Sequence, residues 1–227
     1  IIYVISNFFK LVFIENIFIK RYFIDAFINS LILCIITGVL VTLIGLIISI
    51  LLVKTRRNYL LQQILFLISS IILIISPVII SLGYFIVLGE LRYIYWITIL
   101  VIIIINCIFL IPFSILILFT KLKNIFLNFD DIKKTFRLND RNFINIIYPL
   151  IKKNLLYVFS FSAAISFGDF TIISFFKNDS FQTLPSLLFK LITSYRFNEA
   201  SIVAGFILIF SLFIYLIFDN KIYIDKP

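Results

Sequence analysis

Five long apolar runs constrain this chain more than any other feature of its sequence. They cover residues 26–53, 60–88, 94–119, 155–176 and 201–218. A helix needs about 18 or more consecutive apolar residues to cross the hydrocarbon core of a bilayer, and each run is long enough. None of the runs alternates between apolar and polar residues as a membrane β-strand does. They therefore predict an all-α integral membrane protein with five transmembrane helices.

The composition agrees with a membrane location and argues against an enzyme. Hydrophobic residues make up 63% of the 227-residue chain and charged residues 14%, whereas a soluble domain is nearer half and a quarter. The chain has no histidine, which removes the commonest general base and metal ligand. Cys34 and Cys107 lie inside apolar runs and are expected to be core residues. No phosphate-binding GxxxxGK[ST] loop occurs, so we expect neither a metal nor a cofactor in this chain.

The net charge of +9 predicts the orientation of the helices. Five spans place the loops on alternate sides, and 13 of the 20 Lys and Arg fall in loops 54–57, 120–154 and 219–227. Positive loops face the cytoplasm, so the C-terminal tail 219–227 is predicted to be cytoplasmic. The loop at 177–199 then faces outward. No stretch outside the apolar runs is long enough for a nucleic-acid-binding face, so we expect no nucleic-acid partner.

The chain before the first run is expected to differ from the spans. Residues 1–25 are apolar but interrupted by polar residues such as Asn7, Lys10 and Glu15. They predict an interfacial or periplasmic segment, with a damaged sixth span as the alternative. The permease domain is then 26–218. Because the chain has no Met and opens at Ile1, we expect it to be a fragment of a longer polypeptide or a product of a reduced gene.

The loop at 120–154 is the longest polar segment. Asp130 and Asp131 favour a helix start, where carboxylates interact with the positive end of the helix dipole. A break around 138–140 predicts two short amphipathic helices, and Pro149 marks the end of the second or the entry to the next span. The apolar side chains, Phe136 among them, fit a soluble partner. A helix pair lying on lipid headgroups is the alternative.

Asp169, in the string Ser-Phe-Gly-Asp-Phe, is the one carboxylate that a predicted span contains. At ~1.5 Å per residue it lies roughly 20 Å from the cytoplasmic end of its span. An ionisable group at that depth usually faces a bundle interior or an aqueous path. Gly168, Asp169 and Phe170 are therefore candidate residues of a translocation pathway. Alternatively, Asp169 lies just outside the hydrocarbon and caps a helix break after Gly168.

The arrangement of spans around one long cytoplasmic loop resembles the membrane subunits of bacterial ABC importers of the type I architecture. Asp131 resembles the acidic residue of the family's loop motif, and Ile147-Tyr148-Pro149 resembles its end. The loop departs from the motif where Ile132-Lys133 replace two alanines and Phe136 or Arg137 replaces a glycine. The resemblance implies that the loop couples the spans to a separate ABC ATPase, which binds the ATP. The candidate coupling residues are Asp130, Asp131, Phe136, Arg137, Leu138, Asp140 and Pro149.

Residues 166–204 resemble, more specifically, the end of the thiamine ABC transporter permease family, whose members carry two homologous halves. The motifs stand in the family's order: Gly168-Asp169-Phe170, Asn178-Asp179, Phe181-Gln182-Thr183-Leu184-Pro185 and Ser194-Tyr195-Arg196. The resemblance is to the second half. It implies a subunit of the bacterial inner membrane that imports thiamine or its phosphates. The alternatives are a permease for iron(III) or another small solute, a transporter of a different class, and a structural membrane subunit.

The same resemblance implies the partners. A periplasmic substrate-binding protein delivers the substrate to the outward loop, and a second permease half or a second copy completes the pathway within the lipid bilayer. The candidate outward contacts are Asp179, Thr183, Pro185, Tyr195 and Arg196.

Overall fold

The computed structural model describes residues 20–55, 63, 67, 74–136, 140–176 and 181–223, with side chains omitted at 54, 92–93, 127–147 and 217–223. The regular elements in these ranges are helices. They are α1 (Arg21–Lys54), α2 (Pro77–Leu88), a 3-10 helix (Gly89–Tyr93), α3 (Tyr95–Phe136), α4 (Asp140–Gly168), α5 (Ile173–Phe176), α6 (Leu184–Thr193) and α7 (Phe197–Tyr223).

Four of these helices are long and apolar enough to cross a membrane. The candidate spans are Arg21–Val53, Tyr95–Phe126, Tyr148–Gly168 and Phe197–Leu216. The expectation of an all-α membrane protein is therefore confirmed. The predicted span at 60–88 lies largely outside the described residues. Its described end is the 12-residue helix α2, which begins at Pro77 behind the N-cap residue Ser76. A fifth span and the type I bundle stay predictions.

Helix α1 is the centre of the bundle, since it packs against both α3 and α4, while α7 packs against α4 and α6. Small residues let these helices approach closely, as is common between membrane helices. A Cβ added to Gly45 of α1 would lie 2.7 Å from the Cβ of Ser114 in α3. A Cβ added to Gly38 would lie 2.9 Å from the Phe159 ring of α4. Both glycines are therefore required by the packing of α1.

The bundle has two distinct ends. At the helix-start side, where α1, α3 and α7 begin, Asn29 donates to the carbonyl of Gln182 (2.8 Å) and accepts from the Tyr95 hydroxyl (2.9 Å). At the helix-end side, where α1 and α3 end, Val53, Leu122 and Ile151 form a separate buried cluster. The segment 181–197 and the start of α4 thus lie on opposite sides. Which side faces the cytoplasm stays a prediction.

Two helices begin before their predicted apolar runs, because a helix can continue through polar and charged residues that hydropathy excludes. The first span helix begins at Arg21, not at 26. Arg21 and Asp25 are exposed whereas Phe23 is buried, so residues 21–25 belong to α1 and not to the N-terminal segment. In the same way α7 begins at Phe197, within the predicted loop 177–199.

The segment predicted as a polar loop at 120–154 is mostly continuous helix. Helix α3 runs for 42 residues to Phe136 and α4 starts at Asp140, so no loop begins at 120. Polar and charged residues such as Lys121 and Lys123 are compatible with a helix that continues beyond the bilayer. The predicted break at 138–140 falls partly on residues outside the description. Pro149 lies inside α4 rather than at a helix end, one residue after the start of the candidate span Tyr148–Gly168.

The predicted span 155–176 is too long at its C-terminal end. Helix α4 ends at Gly168, and residues 169–172 turn into the short helix α5. The carboxylate of Asp169 accepts a hydrogen bond from the backbone N–H of Thr171 at 2.9 Å. An Asp side chain that accepts a hydrogen bond from the backbone N–H two residues ahead stabilises a turn. This turn explains why the helix ends at Gly168 although apolar residues follow.

Candidate functional site

The helix-start side contains a buried carboxylate with three donors. Glu199, in the first turn of α7, is only 7% exposed. Its carboxylate accepts from the Tyr22 hydroxyl (2.7 Å), from Lys20 Nζ (3.3 Å) and from the Arg196 guanidinium. A carboxylate is also favoured in the first turn of a helix. This Glu199 cluster, Lys20, Tyr22, Arg196 and Glu199, joins the start of the first span to the start of the last.

Helix α6 is fixed at its start by residues of the predicted outward loop. Thr183 is the N-cap in a capping box with Ser186, and its backbone N–H donates to the Ser186 hydroxyl at 2.8 Å. Pro185 occupies a position in the first turn, where a backbone N–H has no intrahelical acceptor and its absence from proline costs nothing. The N–H of Leu184 donates to Ser30 of α1 at 2.9 Å. Thr183 and Pro185 are buried, and both anchor α6; their role as outward contacts stays a prediction.

Tyr195 occupies a strained position between α6 and α7. Its φ of 59° is left-handed, and its N–H donates to the carbonyl of Ile192 (3.1 Å) while that of Arg196 donates to Leu191 (2.9 Å). These two bonds form the Schellman motif that ends many helices, with Tyr195 where glycine is usual. The Tyr195 side chain is 82% exposed. The turn therefore presents an aromatic ring to the surroundings at a conformational cost.

Asp169 lies directly after the third candidate span rather than within it. Its Oδ1 accepts from Thr171, whereas its Oδ2 is buried and has no hydrogen-bond partner among the residues that the structure describes. Burial raises the pKa of Asp169 above its ordinary value, against the opposing effect of the backbone hydrogen bonds from Thr171 and Ile172. The turn formed by Asp169 agrees with the capping alternative.

Two sets of predicted residues line one apolar cavity. Gly168 and Phe170 of the candidate pathway, and Pro185 of the outward loop, border a cavity of about 370 Å³ together with Phe189 and Ile207. The rings of Phe170 and Phe189 stack with centroids 5.1 Å apart. A Cβ added to Gly168 would make an ordinary van der Waals contact with Ile207 at 3.9 Å, so the cavity wall has room for alanine there. This apolar cavity lies between α4, α6 and α7.

The predicted coupling residues whose backbone the structure describes lie at the helix-end side, away from this site. Asp130, Asp131 and Phe136 lie in the last turns of α3, and Asp140 is the first residue of α4. Their side chains, and the residues Arg137, Leu138 and Asp179, lie outside the description.

Sequence reasoning missed the Glu199 cluster. It assigned the span carboxylate to Asp169, which is half-buried, whereas Glu199 is the buried one. Arg196 and Glu199 are three positions apart, a spacing that brings side chains together on a helix surface, and this signal was available in the sequence. The contributions of Lys20 and Tyr22 come from more than 170 residues away and had no local signal.

Taken together, the four apolar spans and the buried polar contacts between them define an all-helical, multi-pass membrane protein. Among proteins of that class, the chain is similar to the thiamine transport system permease protein ThiP of three bacteria. It is 22% identical over 168 residues to the protein of Escherichia coli K12, covering 74% of this chain and 31% of that protein. It is 36% identical over 69 residues to the Haemophilus influenzae protein, covering 30% and 13%.

The protein of Salmonella typhimurium LT2 is 37% identical over 65 residues, which cover 28% of this chain and 12% of the relative. No family model matches the chain. The resemblance to thiamine ABC transporter permeases expected from residues 166–204 is confirmed by these relatives. The chain matches about a third or less of the length of each.

Proposed function

We propose that this chain is a permease subunit of an ATP-driven importer in the bacterial inner membrane, and that it translocates thiamine or its phosphates. A periplasmic binding protein delivers the substrate to the helix-start side, and a separate ATPase acts at the helix-end side. The chain itself holds no ATP. Its similarity to three thiamine transport system permease proteins is the observation that carries the proposal.

The fold is compatible with substrate delivery at one side of the bundle and ATPase coupling at the other. The segment 181–197 lies at the helix-start side, and α3 continues past its candidate span at the helix-end side. An ATPase that closes against the end of α3 and the start of α4 would therefore move helices that extend to the other side. Rigid-body displacement of packed helices is a common way to couple two states. A second permease half, or a second copy, completes the pathway.

The candidate substrate contacts are Gly168, Asp169 and Phe170. Thiamine carries a positive charge. The Oδ2 of Asp169, which has no partner in the described part of the chain, is an acceptor that a cation would satisfy. The neighbouring Phe170 and Phe189 rings offer aromatic faces of the kind that attract cations. The proposal assigns this group to the passage of the substrate. A permease for iron(III) or another small solute is the second candidate within the same architecture.

Uptake of labelled thiamine tests the proposal. The full-length protein is reconstituted in proteoliposomes with its ATPase and its binding protein, and ATP-dependent uptake is measured. Competition by iron(III) instead of thiamine would favour the second candidate. Uptake that needs an ion gradient and no ATPase would contradict the proposal and favour a different class of transporter.

Coupling is tested separately with Phe136→Asp and Leu138→Asp. We expect both to abolish co-purification of the ATPase and ATP-dependent uptake, because a charge replaces an apolar contact. The matched control is Asn124→Asp, at an exposed position of α3, which should retain both. Retention of the ATPase by Phe136→Asp and Leu138→Asp would exclude these residues from the interface.

A further inference from the structure

A second cavity lies beside the Glu199 cluster and has a different chemistry. Its volume is about 320 Å³, and it is lined by Tyr22, Gln182, Lys190, Ser194 and Arg196 above Leu187 and Leu191. The two leucines are buried and form an apolar floor. The polar residues around them are half-buried or exposed. This basic cavity therefore has an apolar base and a rim of hydrogen-bond donors.

The rim carries positive charge. Lys190 and Arg196 both line the cavity, and none of the described residues that line it is acidic. Lys190 has no acidic side chain within ion-pair distance among the residues that the structure describes. Arg196 binds Glu199 through one nitrogen, Nη2. A guanidinium has five N–H donors. Arg196 also interacts with the Tyr22 hydroxyl, and further donors remain on a side chain that is 46% exposed.

Neutral donors complete the rim. The carbonyl of Gln182 accepts from Asn29, while its side-chain amide offers two further donors. The hydroxyls are already committed, since Tyr22 donates to Glu199 and Ser194 donates to the Lys190 carbonyl at 2.8 Å. They can still accept, or re-orient towards a ligand. A ligand that fits must accept hydrogen bonds from cations at one end and cover leucines at the other.

We propose that the basic cavity binds a phosphate monoester that carries a small apolar group. The phosphate interacts with Lys190, Arg196 and the amide of Gln182, and the apolar group covers Leu187 and Leu191. Charge-assisted hydrogen bonds of this kind are stronger than neutral ones. Two sources offer the same chemistry: a soluble phosphate ester, and the headgroup of an anionic phospholipid at the end of the spans. This site does not depend on the transport function proposed above.

The test uses the full chain in detergent and in nanodiscs. Phenyl phosphate represents the soluble ester in calorimetric titration, with phenol as its uncharged control. Phosphatidic acid in nanodiscs represents the lipid, detected by native mass spectrometry. We expect Lys190→Gln to weaken binding about tenfold, the loss of one charge-assisted contact, and Gln182→Leu to weaken it several-fold. Lys121→Gln, an exposed lysine in the other half of the bundle, should bind as the unaltered chain does.

Each outcome decides between the sources or against the site. Binding of phenyl phosphate that Lys190→Gln weakens assigns a soluble ester, whereas a response of phosphatidic acid alone assigns a lipid headgroup. Lys190 also lies in the last turn of α6, where a cation stabilises the helix. If Lys190→Gln lowered only the melting temperature and left both ligands bound as before, or if neither ligand bound, the proposed site would be refuted.

Discussion

The hydroxyl of Tyr22 donates a 2.7 Å hydrogen bond to the carboxylate of Glu199, a residue 177 positions further along the chain. The bond joins the second residue of α1 to the first turn of α7. Below it, the rings of Phe23 and Phe206 meet edge to face with centroids 5.4 Å apart. Polar and aromatic contacts thus hold the first and last spans together at the helix-start side.

Glu199→Gln should destabilise the protein, because it removes the negative charge that Lys20 and Arg196 share. We expect a loss of about 2 kcal/mol, the typical magnitude for a hydrogen-bonded charge that is largely shielded from water. Thermal unfolding in detergent measures it. Glu90→Gln is the matched control, since Glu90 is exposed and should leave the melting temperature unchanged. Equal effects of both substitutions would show that the Glu199 cluster contributes no specific stability.

Tyr195→Gly should stabilise the fold. A left-handed residue with a side chain costs about 1 kcal/mol relative to glycine, and glycine is the usual residue at this point of a Schellman turn. Tyr195→Ala keeps the strain and should bring no such gain. A comparison of the two melting temperatures checks the prediction. If Tyr195→Gly also reduced transport, the exposed ring would have a role that compensates for its strain.

Gly45→Ala should destabilise the packing of α1 against α3 by about 1–3 kcal/mol, the range for overpacked cores. The added Cβ would meet Ser114 Cβ at 2.7 Å, and no rotation of the serine hydroxyl relieves that contact. The double substitution Gly45→Ala with Ser114→Gly should recover most of the loss. Gly83→Ala is the control, since no described residue lies within 4 Å of its added Cβ.

Asp169→Asn and Asp169→Ala separate the two interpretations of this residue. Asn keeps an oxygen that can accept from Thr171, so it should preserve the turn, whereas Ala should lose about 1 kcal/mol. A pathway role predicts that Asn also reduces thiamine uptake, because the charge is gone. Unchanged uptake by Asp169→Asn would leave the turn as the function of Asp169.

The raised pKa of Asp169 predicts a pH dependence with a defined sign. Burial favours the protonated carboxyl in the folded state, so its contribution to stability is present at low pH. It is lost as the pH rises through the folded pKa. The melting temperature of the unaltered chain, relative to that of Asp169→Asn, should therefore fall as the pH is raised from below to well above the ordinary pKa of 3.8. A constant difference across this range would contradict the predicted shift.

Hydropathy located most of the described helices, because a bilayer requires long apolar segments. It placed boundaries poorly where charged residues lie on an exposed helix face, as Arg21 and Asp25 do. It also missed the end of α4, since the turn depends on a hydrogen bond from the Thr171 backbone to Asp169 and not on polarity.

The candidate site could be predicted only in part. Gly168 and Phe170 were identified as neighbours of the carboxylate Asp169, and Pro185 by resemblance, and the fold brings all three to one cavity. The Glu199 cluster could not be assembled in the same way, because its donors come from opposite ends of the described chain. Tyr195 shows a third case. The left-handed backbone conformation of Tyr195 follows from the hydrogen bonds of the turn, and no sequence pattern predicts it.

The uninterrupted length of α3 has a mechanical consequence. Its 42 residues correspond to a rod of about 63 Å, roughly twice the hydrocarbon thickness of a bilayer. If such a rod tilts by about 5° around its midpoint, each end sweeps roughly 3 Å. A small tilt of α3 caused by a movement at Phe136 would thus displace Tyr95 by about the size of an atom. Because Tyr95 is hydrogen-bonded to Asn29, that sweep would bear directly on the polar contacts of α1.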